Sequence, residues 1–408
     1  WEFRRILRNG GGFAIKRTAD RVYRKEIGSF EKFLETEYKK WVKEPLLDDT
    51  IVWSAYWGRN NKFNGNPRAL YEFVAKNYPN LKNIIVVQNA IYSFKEYFPN
   101  TRVISFGTKE YWYYLAKAKY FVNDVNFTQA ERKKRKEQVE IQTMHGTPLK
   151  TMGFNVLDEW KDSTYNKIHK RYKSYDYLVV SSDWVGEYAK HAFNVDTKLL
   201  KTGYPRNDVF FKKHSPEEIN SIKVNLKLPL NKKIILYTPT FRIKNEEVSL
   251  TQRFEDVDKL VKSLGEDKIL VIKNHNFDNY KPIPEKYSNK IFLMDPFENI
   301  NNLYIISDAL ITDYSSVMFD YMLLQKPMMF WAYDYDQYIN NRGINFSLKN
   351  EAPGPFIQQQ CELEKWIHDY ESIPILFKKN IHDFMYKFGQ YDVGSASKQI
   401  AKIIFGER

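Results

Sequence analysis

Between residue 46 and about residue 212, short apolar runs alternate with amphipathic stretches. TIVWSAYW, NIIVVQN, TRVISF, KYFVND, VEIQTM, YDYLVVSS and TKLLKTG have the length and apolar content of strands. NPRALYEFVAKNY, TKEYWYYLAKA and SDWVGEYAKHAF have helical spacing. Nearly continuous apolar strands joined through helices predict a parallel sheet covered on its faces. After GYPRNDVFFKKHSP the alternation restarts with KKIILYTPTF, KILVIKNHN, KIFLMD, DALITD and KPMMFWAY, separated by helices such as RFEDVDKLVKSLG and SSVMFDYMLLQ. The pattern predicts an α/β chain of two successive halves, residues 46–212 and 213–385, closed by a C-terminal helix within 386–408. In GSASKQIAKIIFG that helix has Ser at its start and Gly at its end. Residues 1–45 are basic and aromatic, and Ile15, Ala19, Val22 and Ile27 predict a short amphipathic helix. Such a helix can lie on an anionic membrane or dock on protein.

Composition narrows the class. The chain has 408 residues, 43% hydrophobic and 16% aromatic, enough for two packed domains. No run of about 18 apolar residues occurs, so no segment reads as a membrane span. The opening at Trp1, without methionine, predicts that the chain is part of a longer protein. A single cysteine, Cys361, excludes an internal disulfide framework, argues against a thiolate metal cage and fits a reducing cytosol. The net charge of +13 is concentrated in FRRILRNGGGFAIKRTADRVYRK and in RKKRK at 132–136. An anionic partner follows: nucleic acid, anionic lipid or a phosphate-rich substrate. No nucleic-acid-binding motif accompanies the charge, so nucleic acid is not expected as a partner.

Open parallel sheets bind ligands beyond the carboxyl ends of their strands, and those ends carry the chemistry here. In DALITDYSSVMFDYMLL the strand ends at Asp313, and Ser315 and Ser316 open an apolar helix whose free N–H groups suit phosphate. In VIKNHNFDN the strand runs into Lys273 and His275, which supply donors to an anion or a group that moves a proton. YTPTFR ends a strand in Thr238, Thr240 and Arg242, the last suited to a bidentate grip on phosphate. In GYPRND, Pro205 stiffens the connection between the halves. Arg206 and Asp208 form either a structural ion pair or ligand contacts. IQTMHGTPLKTMGF hands a strand over to His145. Gly146 permits close backbone approach, Thr147-Pro148 predicts a helix start, and Lys150 adds charge within one turn. Each of these residues has an ordinary structural reading. Together they point to a phosphate-bearing ligand in a cleft. Walker, G-x-G-x-x-G, H-E-x-x-H, G-x-S-x-G and paired zinc-ligand patterns are all missing.

Taken together, HGTPLK, GYPRND, YTPTFR, K-x-H and SDALITDYSSVMFDYMLLQKPM resemble the CDP-glycerol glycerophosphotransferase family of teichoic-acid and capsule polymerases, over roughly residues 50–405. The resemblance implies a GT-B fold of two Rossmann-like domains facing a cleft. It also implies a CDP-glycerol or CDP-ribitol donor, an undecaprenyl-linked polyol-phosphate acceptor, and peripheral attachment to the cytoplasmic face of the membrane. Carried over by position, Ser315 and Ser316 hold the donor diphosphate and Asp313 shapes their turn. His275, with Thr240 and Arg242 nearby, neutralises charge on the phosphoryl group and on departing CMP, and Lys273 is among the donor-binding residues. His145 takes the proton of the acceptor hydroxyl, with Gly146, Thr147, Lys150, Arg206 and Asp208 around the acceptor. No resident cofactor is expected, and magnesium is possible without a motif for it. Family members frequently carry Pro after the second histidine, where this chain has Asn276. A nucleotide-sugar glycosyltransferase on the same fold is the alternative activity.

Overall fold

The protein is described by a computed structural model covering residues 32–55, 63–92, 97–125, 134–153, 172–194, 196–240, 242, 247–274, 279–295 and 298–407. The chain forms two compact units. The described residues up to Ile141, apart from Arg68–Phe73, make one, and Arg68–Phe73 with Gln142 onward make the other.

In the first unit β1 (Leu47–Ser54) pairs in parallel with β2 (Lys82–Val87) and β4 (Ala118–Asn123), and β2 pairs with β3 (Thr101–Ser105). With β5 (Val139–Gln142) the order is β3-β2-β1-β4-β5. One face is covered by helix Lys109–Lys117, whose N-cap Thr108 accepts from Tyr111 N. Its buried Tyr111, Trp112 and Leu115 join Val52, Ile84, Val86 and Phe121 in the core. Phe33, Tyr38, Trp41 and Val42 pack on that same cluster, so residues 33–42 dock on their own protein. The expected helix through Ile15, Ala19, Val22 and Ile27 lies outside the described residues.

The second unit holds a parallel pair, β6 (Tyr177–Val180) and β7 (Lys198–Lys201), and a six-stranded sheet. The sheet contains β8 (Lys233–Thr238), β10 (Lys268–Lys273), β12 (Ile291–Met294), β13 (Ala309–Thr312), β14 (Met328–Trp331) and β15 (Phe356–Ile357). Its order is β12-β10-β8-β13-β14-β15, with every neighbouring pair parallel. A small parallel pair, β9 (Glu247–Val248) with β11 (Asn279–Tyr280), stands apart from it. Apolar residues on the two faces of the sheet feed separate cores. Leu236, Val271, Leu310 and Phe330 face one, and Tyr237, Ile272, Ile311 and Trp331 the other. Strands apolar on both faces are what a sheet covered on both sides requires. The twelve longer strand runs read in the sequence all form, while the two-residue strands β9, β11 and β15 carry too few residues to show a period.

Candidate active site

Four neighbouring strands of the six-stranded sheet end on polar residues. β10 leads to Lys273 and Asn274, β8 to Thr238 and Thr240, β13 to Asp313, and β14 to Tyr333 and Asp334. The parallel register, with Thr312 opposite Thr238, brings these exits to one edge. Here sequence reasoning anticipated the placement of Thr240, Lys273 and Asp313. His275 lies outside the described residues.

Asp313, fully buried, is the hub of that edge. It accepts from Thr240 N at 2.9 Å, Thr240 Oγ1 at 2.7 Å, its neighbour Tyr314 N at 2.6 Å and Arg242 Nη2 at 2.9 Å. The Arg242 fork goes to protein rather than outward. Nε and Nη2 donate to Asp334 at 2.6 and 3.0 Å, and Nη1 donates to the Thr240 carbonyl at 2.6 Å. The rings of Tyr314, Tyr333 and Tyr338 surround it with centroids 5.2, 5.6 and 5.4 Å from Cζ. Burial opposes the guanidinium charge, but the Asp313 charge and the Asp334 hydrogen bond outweigh it and raise the pKa. The expected bidentate phosphate grip is therefore corrected: Arg242 braces two carboxylates and a carbonyl. Asp334 was missed because the acids in WAYDYDQY follow the strand β14 without a motif around them.

Ser315 and Ser316 follow in the turn before the short helix Val317–Tyr321. Ser316 stands at the N-cap but makes no cap bond, and neither hydroxyl bonds to another described residue. Among the described residues, two more polar atoms on this edge, Thr238 Oγ1 and Asn274 Oδ1, are buried with no hydrogen-bond partner, an uncommon condition that a bound ligand or water would relieve. Sequence reasoning noted Thr238 as a strand-end residue but passed over Asn274, the residue just before His275.

The second cluster follows β5. Met144 adopts φ 54° and Gly146 φ 136°, so His145 sits between two positive-φ residues. For Met144, a non-glycine, such a backbone costs on the order of 1–3 kcal/mol and persists only where the surroundings enforce it. The enforcing contacts are explicit. Gln142 Oε1 accepts from Met144 N at 2.8 Å. Arg206 Nη1 donates to the His145 carbonyl at 2.9 Å. A Cβ on Gly146 would stand 2.9 Å from Arg206 Nη2. His145 itself is exposed, while Met144 and residues 146–149 are buried.

The expected helix start at Thr147-Pro148 does not form. The chain stays irregular instead, because Ile344 and Asn345 capture its backbone. Lys150 bridges Ile344, and Asn345 donates to the carbonyls of Leu149 (2.9 Å), Pro148 (3.2 Å) and Lys150 (2.9 Å). Thr147 Oγ1 lies 3.3 Å from Ser181 Oγ, which donates to the Phe388 carbonyl at 2.7 Å. Lys150 Nζ sits 5.7 Å from the Tyr338 ring, and Tyr338 stacks on Tyr314 with centroids 3.9 Å apart. Loop and sheet edge are thus in contact through aromatic rings.

The GYPRND residues divide. Arg206 does not pair with Asp208; its Nη2 donates to Asp320 at 2.5 Å. Asp208 accepts from Ala396 N at 2.8 Å and Ser397 N at 2.9 Å, capping the C-terminal helix Ala396–Phe405. Ser395, expected as the cap, makes no cap bond, because the Asp208 carboxylate already occupies those donors. Asp208 thus anchors a helix.

A family model for CDP-glycerol:poly(glycerophosphate) glycerophosphotransferase matches residues 37–406. The chain belongs to this family. It is 32% identical to a teichoic acid poly(glycerol phosphate) polymerase of Staphylococcus epidermidis over 87% of this chain and 50% of that one. It is 30% identical to a teichoic acid glycerol-phosphate transferase of Staphylococcus aureus over 92% of this chain and 97% of that one. The chain thus spans about half the length of the first of these relatives. Its parallel α/β fold is close to that of the wall teichoic acid polymerase TagF, with a TM-score of 0.80 at 27% identity over 97% of this chain and 98% of that one. A histidine-to-asparagine variant of TagF with CDPG gives 0.81 at 28% identity over the same shares.

Proposed function

We propose that the protein transfers glycerol phosphate from CDP-glycerol to the terminal hydroxyl of a lipid-linked poly(glycerol phosphate) or related acceptor, releasing CMP. The acceptor oxygen attacks the β-phosphorus, and the bond from that phosphorus to the bridging oxygen breaks. CMP leaves with the bridging oxygen, and the hydroxyl proton passes to His145. Phosphoryl transfer rests on positioning and charge stabilisation, for which clustered donors are suited. Ser315 and Ser316 offer hydroxyls to the diphosphate. Thr240 is held by Asp313, and Arg242 fixes the turn through its carboxylates. Lys273 and His275 supply positive charge to the departing CMP. The GT-B reading assigns the acceptor to 46–212 and the donor to 213–385, and the enzyme works peripherally at the cytoplasmic membrane face on an undecaprenyl-linked chain.

One observation carries the reading: His145 is exposed beside the strained Met144, while Met144 and residues 146–149 around it are buried. Family membership and the glycerol-phosphate names of the relatives support the donor. A similar poly(ribitol-phosphate) polymerase of Bacillus spizizenii, 31% identical over 306 residues, makes CDP-ribitol the comparison substrate. The test is CMP release from CDP-glycerol, CDP-ribitol and a UDP-sugar, each with a lipid-linked acceptor. Turnover of CDP-glycerol at least tenfold faster than the others is expected. Faster turnover of the UDP-sugar overturns the reading.

A further inference from the structure

We infer that Arg206 and Asp320 form a positioning pair that sets where His145 stands relative to the serine turn at Ser315-Ser316. The inference rests on the proposed role of His145 and goes beyond it by naming what holds that residue in place. One guanidinium reaches two segments distant in the chain. Nη1 donates to the His145 carbonyl at 2.9 Å, and Nη2 donates to Asp320 Oδ2 at 2.5 Å. Asp320 lies in the helix Val317–Tyr321, directly behind Ser315 and Ser316. Arg206 thus ties the residue that takes the proton to the element that carries the serines.

The surroundings leave the pair little freedom. Asp320 is 4% exposed, so its carboxylate depends on the guanidinium for neutralisation. Pro205 begins the 3-10 turn Pro205–Phe211, and the Arg206 carbonyl accepts from Asn301 Nδ2 at 3.0 Å, which fixes the arginine backbone. Gly146 has no Cβ where one would stand 2.9 Å from Nη2, so the close approach needs glycine. The strained φ of Met144 and the positive φ that Gly146 supplies then have a cause: the guanidinium holds the carbonyl between them. Lysine cannot replace the fork, because one ammonium cannot present two parallel N–H groups to a carbonyl and a carboxylate.

A merely structural ion pair would affect folding. A positioning pair affects turnover through His145. The experiment measures CMP release from CDP-glycerol with a lipid-linked poly(glycerol phosphate) acceptor for wild type, Arg206→Lys, His145→Ala and the double variant, with melting temperatures for all four. Expected is a loss of tenfold or more in kcat for Arg206→Lys, with KM for CDP-glycerol within threefold of wild type. Arg206→Lys should add less than twofold to the loss already present in His145→Ala, because it acts through that residue. If Arg206→Lys keeps wild-type kcat, or multiplies its full loss onto His145→Ala, the pairing role is wrong while the base assignment stands. Full activity of folded His145→Ala overturns the base assignment instead. Should Arg206→Lys lose its melting transition, Asp320→Asn, which keeps an oxygen for the guanidinium, carries the same four-way comparison under the same criteria.

Discussion

His145 and Asp313 both follow the end of a strand, and they are built in opposite ways. Asp313 is fully buried and saturated by Thr240, Tyr314 and Arg242. His145 is exposed between two positive-φ residues, Met144 and Gly146, and its carbonyl is held by Arg206. A carboxylate with all its acceptor capacity engaged is architecture: it shapes the turn that presents other groups. An exposed imidazole beside a strained residue, Met144, is a group that a substrate can reach. Strand-exit position alone does not separate the two roles, whereas burial does.

The contrast predicts unequal stability costs. Asp313→Ala leaves Arg242 short of a carboxylate and Thr240 without its acceptor, and should lower stability by about 3–5 kcal/mol, the scale for breaking a buried pair. Urea denaturation measures this. His145→Ala in the same assay should stay within about 0.5 kcal/mol of wild type, as exposed positions do. Equal losses at the two positions would break the comparison. An intermediate case is Asp208→Ala. Removing the remote cap of Ala396–Phe405 should cost about 0.5–2 kcal/mol, with kcat for CMP release unchanged. A tenfold fall in kcat would return Asp208 to the ligand contacts.

A further effect, read as a slope in pH rather than a loss at one pH, concerns Asp392, whose carboxylate accepts from Tyr204 N at 2.8 Å and Asn207 Nδ2 at 3.2 Å. Burial pushes its pKa up to about 8 from the ordinary carboxylate range. The folded state therefore holds a proton that the unfolded chain has released. The stabilisation from this group is full below the unfolded value and is lost as pH rises through the folded one. Asp392→Asn should flatten the fall in melting temperature between pH 5 and pH 9. A variant with the wild-type slope would remove Asp392 from the account.

Much of this was legible in the sequence, for identifiable reasons. β8, β10, β13 and β14 are apolar on both faces, so their runs are unbroken and their polar ends conspicuous. The sequence therefore pointed to Asp313, Thr240 and Lys273 at one edge. Partner choice was not legible. Arg206 finds Asp320 across 114 residues and Asp208 finds Ala396 across 188, pairings made by folding rather than by spacing. Thr147-Pro148 is a sound local signal for a helix start, but Asn345 and Ile344 hold the segment out of a helix. Local propensity lost there to tertiary hydrogen bonds. In the sequence Arg242 reads as a phosphate ligand, because nothing in the spacing shows Asp334 beside it.

The central claim is that His145 takes the proton from the acceptor hydroxyl. Single-turnover CMP formation from CDP-glycerol, with excess lipid-linked acceptor, tests it most directly when folded His145→Ala is compared with wild type. A positioned base contributes about 10²–10⁴-fold, so a slowing of at least about 100-fold at unchanged melting temperature is predicted. A rate within threefold of wild type would contradict the account.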